Sequence, residues 1–160
     1  MSTPAFAVGL VRSFGNVDRA MDRFSRDLAR TLTPEQCVEG LRTHADDRFT
    51  PPMFGLEAPL TDVVIHGADI LRPLGRTPAV ASEALRVVLD FLTTKRARAS
   101  FAAQDLDGLR VHVTDLDLQL GTGDLEVSGP ALAVCGALLR RDPFLDELHG
   151  PGVAALRAKP

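Results

Sequence analysis

Tryptophan and tyrosine are absent from this 160-residue sequence, and phenylalanine supplies all of its aromatic side chains. Lysine is nearly absent too: of the 18 basic residues only Lys95 and Lys159 are lysines. The arginines are mixed with acidic residues, and the formal net charge is −3. Nucleic-acid binding needs a basic surface and, for single strands, aromatic rings on which bases can stack. We therefore expect no nucleic-acid partner.

Long apolar runs and paired cysteines are also missing. The longest apolar run, residues 131–139, is too short to cross a bilayer. The apolar residues 5–11 follow no basic residue and precede Arg12, which is the reverse of a secretory signal. Cys37 and Cys135 stand alone, as expected for reduced thiols that fill a core. These absences predict a cytoplasmic protein without a membrane partner.

Apolar residues at intervals of three and four predict helices in the N-terminal part. Asn16 can cap a first helix, and Thr33-Pro34-Glu35-Gln36 has the residues of a capping box for a second helix that runs to about Ala45. Residues 46–58 contain prolines and lack a period, so we expect a loop that carries Phe49, Met53 and Phe54 onto the helices. The apolar stripe of the first helix comprises Val17, Met21, Phe24, Leu28 and Leu32.

Strand periodicity begins after Gly108. Apolar residues alternate with polar ones over 109–113 and again over 116–120, with a change of phase at Thr114-Asp115 that predicts a tight turn or bulge. Residues 121–124 have turn composition, and 125–127 predict a further strand. The fold class is therefore α+β. It comprises a helical part, residues 1–76, followed by an α+β part, residues 77–160, with a small antiparallel sheet.

Residues 59–75 contain the side chains that are the best candidates for a metal or catalytic site. Asp62, His66 and Asp69 are spaced four and three residues apart, so on a helix they project along one stripe. We expect neighbouring apolar residues to enclose this stripe partly. The spacing is that of a metal half-site. It is also common in a simple hydrogen-bonded helical ion pair, and Asp62 in the first helical turn would complement the helix dipole.

The order of several short motifs carries a family resemblance. The central motif is Asp62 followed, after three spacer residues, by His66-Gly67-x-Asp69. It lies between two further motifs, residues 15–19 and residues 127–131. In this order of motifs the sequence resembles the mycothiol-dependent maleylpyruvate isomerases of the DinB-like group. The resemblance implies a partial DinB-like bundle followed by a sterol-carrier-like domain.

The resemblance also implies a chemistry. In the family, zinc or another divalent metal holds the thiolate of mycothiol, which adds to a cis double bond, permits rotation and leaves the trans product. Here His66 and Asp62 would be metal ligands, and Asp69 would orient the imidazole. The family usually has Glu at the position of Asp62. It also has two earlier helices, one with a further metal-binding His, for which this sequence shows no counterpart. We therefore expect a metal site that is reduced or lost, and assign no catalytic residue.

Several alternatives stay open. His44 is a conceivable third ligand, although a histidine there more often caps a helix or lies in solvent. Arg140, Arg141 and the helix that begins at Pro130 offer places for an anion, although a solvated surface explains them as well. The rival function is a non-enzymatic small-molecule-binding or dimeric interaction module. We expect a homodimer in either case, because Met21, Phe24, Val64 and Leu71 would otherwise lie in water.

Overall fold

The computed structural model describes residues 17–48, 50 and 54–158. Within them the protein is α+β, as expected, with seven α-helices and a three-stranded mixed sheet. The chain forms two compact units, residues 1–48 and 49–160. The helices are α1 (Val17–Thr31), α2 (Pro34–Thr43), α3 (Glu57–Leu71), α4 (Ser82–Leu92), α5 (Lys95–Phe101), α6 (Ala131–Leu138) and α7 (Val153–Ala158). The strands are β1 (Leu109–Val113), β2 (Leu118–Leu120) and β3 (Leu125–Gly129).

The N-terminal unit contains α1 and α2, which begin and end close to the expected residues. The predicted capping box is present: the backbone N–H of Gln36 donates to Thr33 Oγ1 at 3.3 Å, and the backbone N–H of Thr33 donates to Gln36 Oε1 at 2.8 Å. The expected cap of α1, Asn16, lies outside the described residues. Among the described side chains of this unit only Ala20 is buried. This unit therefore shows almost no core of its own in the part that is described.

The second unit holds the hydrophobic core, and α3 belongs to it. Helix α3 packs against α4 and buries Val64, Ile65 and Ala68. Val64 is thus covered, contrary to the expectation that it would lie in water. The sequence placed α3 with the N-terminal helices, in a part ending at residue 76, whereas the compact units divide after residue 48.

The loop before α3 delivers an aromatic side chain to this core rather than to the N-terminal helices for which we expected it. The ring of Phe54 meets those of Phe91 and Phe101 edge to face, each with centroids 6.4 Å apart. Such aromatic contacts add to the stabilisation that comes from buried area. Phe49 and Met53, which we expected beside Phe54, lie outside the described residues.

The sheet differs from the antiparallel one that we predicted. Strand β1 is central and pairs antiparallel with β2 but parallel with β3. The predicted turn does lie between β1 and β2, and Asp117 within it has a positive φ of 46°. The predicted return of the chain after β2 is wrong: the chain crosses the start of β1 and does not turn back along β2.

Two glycines make this crossing possible. The backbone N–H of Gly123 donates to the carbonyl oxygen of Leu109 at 2.9 Å. A Cβ at Gly121 would overlap the carbonyl of Leu109, and one at Gly123 would overlap the backbone of Gly108. The glycines at 121 and 123 therefore let one segment of chain pass directly over another.

None of the helices in the described ranges combines the length and the apolar character that crossing a bilayer requires.

Candidate functional site

The outer surface of α3 carries the residues that the sequence singles out. Asp62 and His66 are both exposed on it, while Thr61, Ile65 and Ala68 point into the core. Helix α3 begins at Glu57, so Asp62 lies in the second turn. The reading of Asp62 as a first-turn residue that complements the helix dipole is therefore wrong, because that effect falls off within the first turn.

Asp69 connects the histidine to a distant arginine. His66 Nδ1 lies 3.4 Å from Asp69 Oδ2, and Arg141 Nε lies 3.7 Å from the same oxygen. Arg141 also donates from Nη1 to the carbonyl oxygen of Leu139 at 2.7 Å, which fixes its guanidinium. The carboxylate thus faces Nδ1 of the imidazole, which leaves Nε2 on the opposite side of the ring. This is the orienting position that the resemblance implies for Asp69.

The pKa of Asp62 is raised, whereas an ion pair with a neighbouring cation would lower it. Desolvation by the surrounding protein raises the pKa of its carboxyl, although the nearby His66 and Arg141 act in the opposite direction. Its charge therefore costs free energy in the folded chain. Carboxylates in such a state are found at functional sites more often than at random surface positions.

Within the described residues, the partial enclosure that we expected around this stripe is found at Asp62, which is desolvated, but not at His66. The side chain of His66 is 63% exposed. No group of three or more His, Cys, Asp or Glu side chains among the described residues is arranged to hold a metal ion. A tightly bound catalytic zinc needs three protein ligands. Asp62 and His66 offer two, so the second unit by itself does not fit a zinc centre.

His44, the conceivable third ligand, belongs to the N-terminal unit. It is the C-terminal cap residue of α2, and its Nδ1 lies 2.8 Å from Asp47 Oδ2. Its side chain is largely exposed. These are the features expected of a helix cap in solvent.

A shallow cavity of about 290 Å³ adjoins Asp69. Its floor includes the ring of Phe144, and the guanidinium carbon of Arg72 lies 4.2 Å from the ring centroid, in cation–π distance. Arg72 also forms an ion pair with Glu147. The lining residues are Asp69, Arg72, Pro73, Arg141, Pro143 and Phe144. Sequence reasoning missed Arg72 and Phe144 because no local spacing links them.

The other residues that the sequence singled out lie outside this site. The N-terminus of α6, proposed as a place for an anion, is occupied by Asp115, whose Oδ1 accepts from the backbone N–H of Ala131 at 2.7 Å. His112 faces outward on β1, as expected. Burial raises the pKa of Cys135 to about 12, so this thiol stays protonated. Cys37 is exposed rather than part of a core.

Comparison with protein-family models, with curated proteins and with solved structures gives no match. The resemblance to the maleylpyruvate isomerases therefore depends on the motifs quoted above, and the DinB-like and sterol-carrier-like assignments stay predictions.

Proposed function

We propose that this chain is a cytoplasmic, maleylpyruvate isomerase-like protein whose metal site is reduced or lost and which binds a small thiol or anionic molecule beside His66. The convergence of His66, Asp69 and Arg141 carries the proposal, because it brings together groups from α3 and from the loop after α6. Two donors, Asp62 and His66, stand at the positions of the motif that the family uses for its metal, with Asp62 in place of the usual Glu. Asp69 is the nearest further carboxylate, but it faces Nδ1 of His66, and no three such side chains among the described residues are arranged to hold a metal ion.

The residues of this chain can act on a thiol without a metal. In its neutral form, His66 can accept a proton at Nε2 from the thiol S–H, which leaves a thiolate and an imidazolium. Asp69 stabilises that imidazolium from the Nδ1 side. The guanidinium groups of Arg72 and Arg141 attract an anion to the adjoining cavity. The resulting chemistry, where the protein is active, is thiol-assisted isomerisation or transfer.

Metal content and thiol binding test the two halves of the proposal. We expect protein purified without chelator to retain much less than one zinc per chain after dialysis. We expect N-acetylcysteine, used as a small anionic thiol, to raise the melting temperature of the wild-type protein but not of His66→Ala. His112→Ala is the matched control, because His112 is exposed on β1 and away from α3. One zinc per chain would contradict the reduced site, and an equal thiol effect in His66→Ala would contradict the binding role.

The rival function is a non-enzymatic interaction module, and one observation favours it. Large apolar side chains, Val63 and Ile70 among them, are exposed beside His66 on α3. A helix with such a surface commonly forms an interface. In that case His66→Ala changes the melting temperature of the protein without thiol, and N-acetylcysteine has the same effect on both proteins, which the same experiment detects.

A further inference from the structure

A second cavity, of about 150 Å³, lies at the C-terminal end of α6. Its charged lining residues are three arginines and one aspartate, namely Arg140, Arg141, Arg157 and Asp142. The lining therefore has a surplus of two positive charges. A concave surface with charge of one sign concentrates ions of the opposite sign. The charge of this cavity thus favours an anion.

The wall of this cavity also contains a buried acceptor that lacks a donor. Gln104 is only 4% exposed, and its Nε2 donates to the carbonyl oxygen of Ala137 at 2.9 Å. Its Oε1 accepts no hydrogen bond from any described residue. Leaving a buried acceptor unpaired is unfavourable, so a bound group that donates to it gains affinity. Ala137, which holds the amide, lines this cavity and not the one on the other side of Gln104.

Arg140 occupies a backbone position that favours glycine. It follows α6 with a positive φ of 62°. Its backbone N–H donates to the carbonyl oxygen of Ala137, and that of Arg141 donates to the carbonyl oxygen of Gly136, both at 3.0 Å. This pair of bonds is the Schellman motif, whose left-handed residue is usually glycine. Backbone strain of this kind is found preferentially at functional sites, so the arginine side chain needs a reason to be there.

The helix dipole alone does not supply that reason. A basic residue anywhere in the last turn of α6 would complement the dipole, and the last turn contains none. The carbonyl groups at this end are already paired, because those of residues 136–138 accept hydrogen bonds from Gln104, Arg140 and Arg141. This pairing also reduces the repulsion that the end of a helix exerts on an anion.

Two of the arginines are arranged to meet a ligand. Arg140 Nε donates to the carbonyl oxygen of Ala102 at 3.1 Å, which holds its guanidinium at the cavity wall. Arg157 Nη2 lies 3.9 Å from Asp146 Oδ1, and both side chains are largely exposed, so this ion pair is weak. Arg141 is the arginine that pairs with Asp69 in the candidate site. Arg140 and Arg157 are therefore the main cations of the second cavity.

We propose that this cavity binds inorganic phosphate. The guanidinium groups of Arg140 and Arg157 donate to the phosphate oxygens, and the phosphate O–H donates to Gln104 Oε1. Phosphate keeps at least one O–H at neutral pH, so it offers both the charge and the donor that the site lacks. The cavity is smaller than the roughly 300–1,000 Å³ of pockets for larger ligands, which suits a single ion. The proposal is independent of the thiol chemistry at His66.

A comparison of phosphate with sulfate tests the role of Gln104. The two ions have the same shape, but sulfate has no proton to donate at neutral pH. In isothermal titration at constant ionic strength, we expect phosphate to bind with a dissociation constant of about 1 mM or less, and sulfate to bind at least about tenfold more weakly. Equal affinities would overturn the role of Gln104, and the absence of phosphate binding would overturn the site.

Arg140→Gly tests the site without harm to the fold. Glycine suits the left-handed position, so this variant should keep or raise the melting temperature while phosphate binding weakens by roughly tenfold or more. Ala102→Gly is the matched control, because Ala102 also has a positive φ, of 50°, but has no charge to lose. It should bind phosphate as the wild type does.

The two arginines should act together. Arg157→Gln should also weaken phosphate binding severalfold, and Arg110→Gln should not, since Arg110 pairs with Glu126 on the sheet and does not line the cavity. Phosphate affinity that survives both Arg140→Gly and Arg157→Gln would overturn the proposal. So would an Arg140→Gly protein that is clearly less stable than the wild type, because the arginine would then serve the end of α6 itself.

Discussion

Replacing Gly67 with alanine should stabilise the folded chain. Glycine inside a helix is destabilising by roughly 0.5–1 kcal/mol relative to alanine, because it loses more backbone entropy on folding. The added methyl group would meet no atom within 4 Å, so no steric cost offsets the gain. Gly67→Ala should therefore raise the melting temperature by about 1–4 °C.

Thermal unfolding followed by circular dichroism measures this shift. Gly40→Ala is the matched variant, since Gly40 lies inside α2 and also has open space around it. A Gly67→Ala protein that is less stable than the wild type would refute this reasoning.

Three further predictions follow from the second unit and from the two cysteines. Because the folded chain raises the pKa of Asp62, it holds that proton to higher pH than the unfolded chain, and stability is lost as pH rises through the raised value. Asp62→Asn should then unfold at equal or higher urea than the wild type at neutral pH, with the difference shrinking in acid; a clear loss at neutral pH would favour a structural ion pair with His66. Gly136→Ala should cost about 1–3 kcal/mol in urea unfolding, because the new methyl group would overlap the buried ring of Phe144; a neutral effect would mean that the ring can move. Maleimide should label the exposed Cys37 in the native protein and reach Cys135 only on unfolding, and equal labelling rates would contradict the burial of Cys135.

Local signals in the sequence predicted local structure well. The capping box at Thr33 and Gln36 and the turn after β1 depend on residues within a few positions of one another, and both are present. The contact of His66 with Asp69 follows in the same way from helical spacing.

Features that join distant segments were not accessible from the sequence. The parallel pairing of β3 depends on a crossing that Gly121 and Gly123 permit, and their turn composition alone does not distinguish a crossing from a hairpin. Arg141 reaches Asp69 only because α3 and α6 both pack against α4, which brings the residue after α6 to the end of α3. The inward direction of Val64 and the outward direction of Val63 depend on which side of α3 the helix α4 covers.

The most direct test of the account follows the His66 ring while a small anionic thiol is added. Nuclear magnetic resonance of the histidine ring protons reports each histidine separately. His112 is the internal control, because it is exposed on β1. We predict that N-acetylcysteine shifts the ring resonances of His66 and leaves those of His112 unchanged. Ring resonances of His66 that do not move, or that move no more than those of His112, would contradict the account.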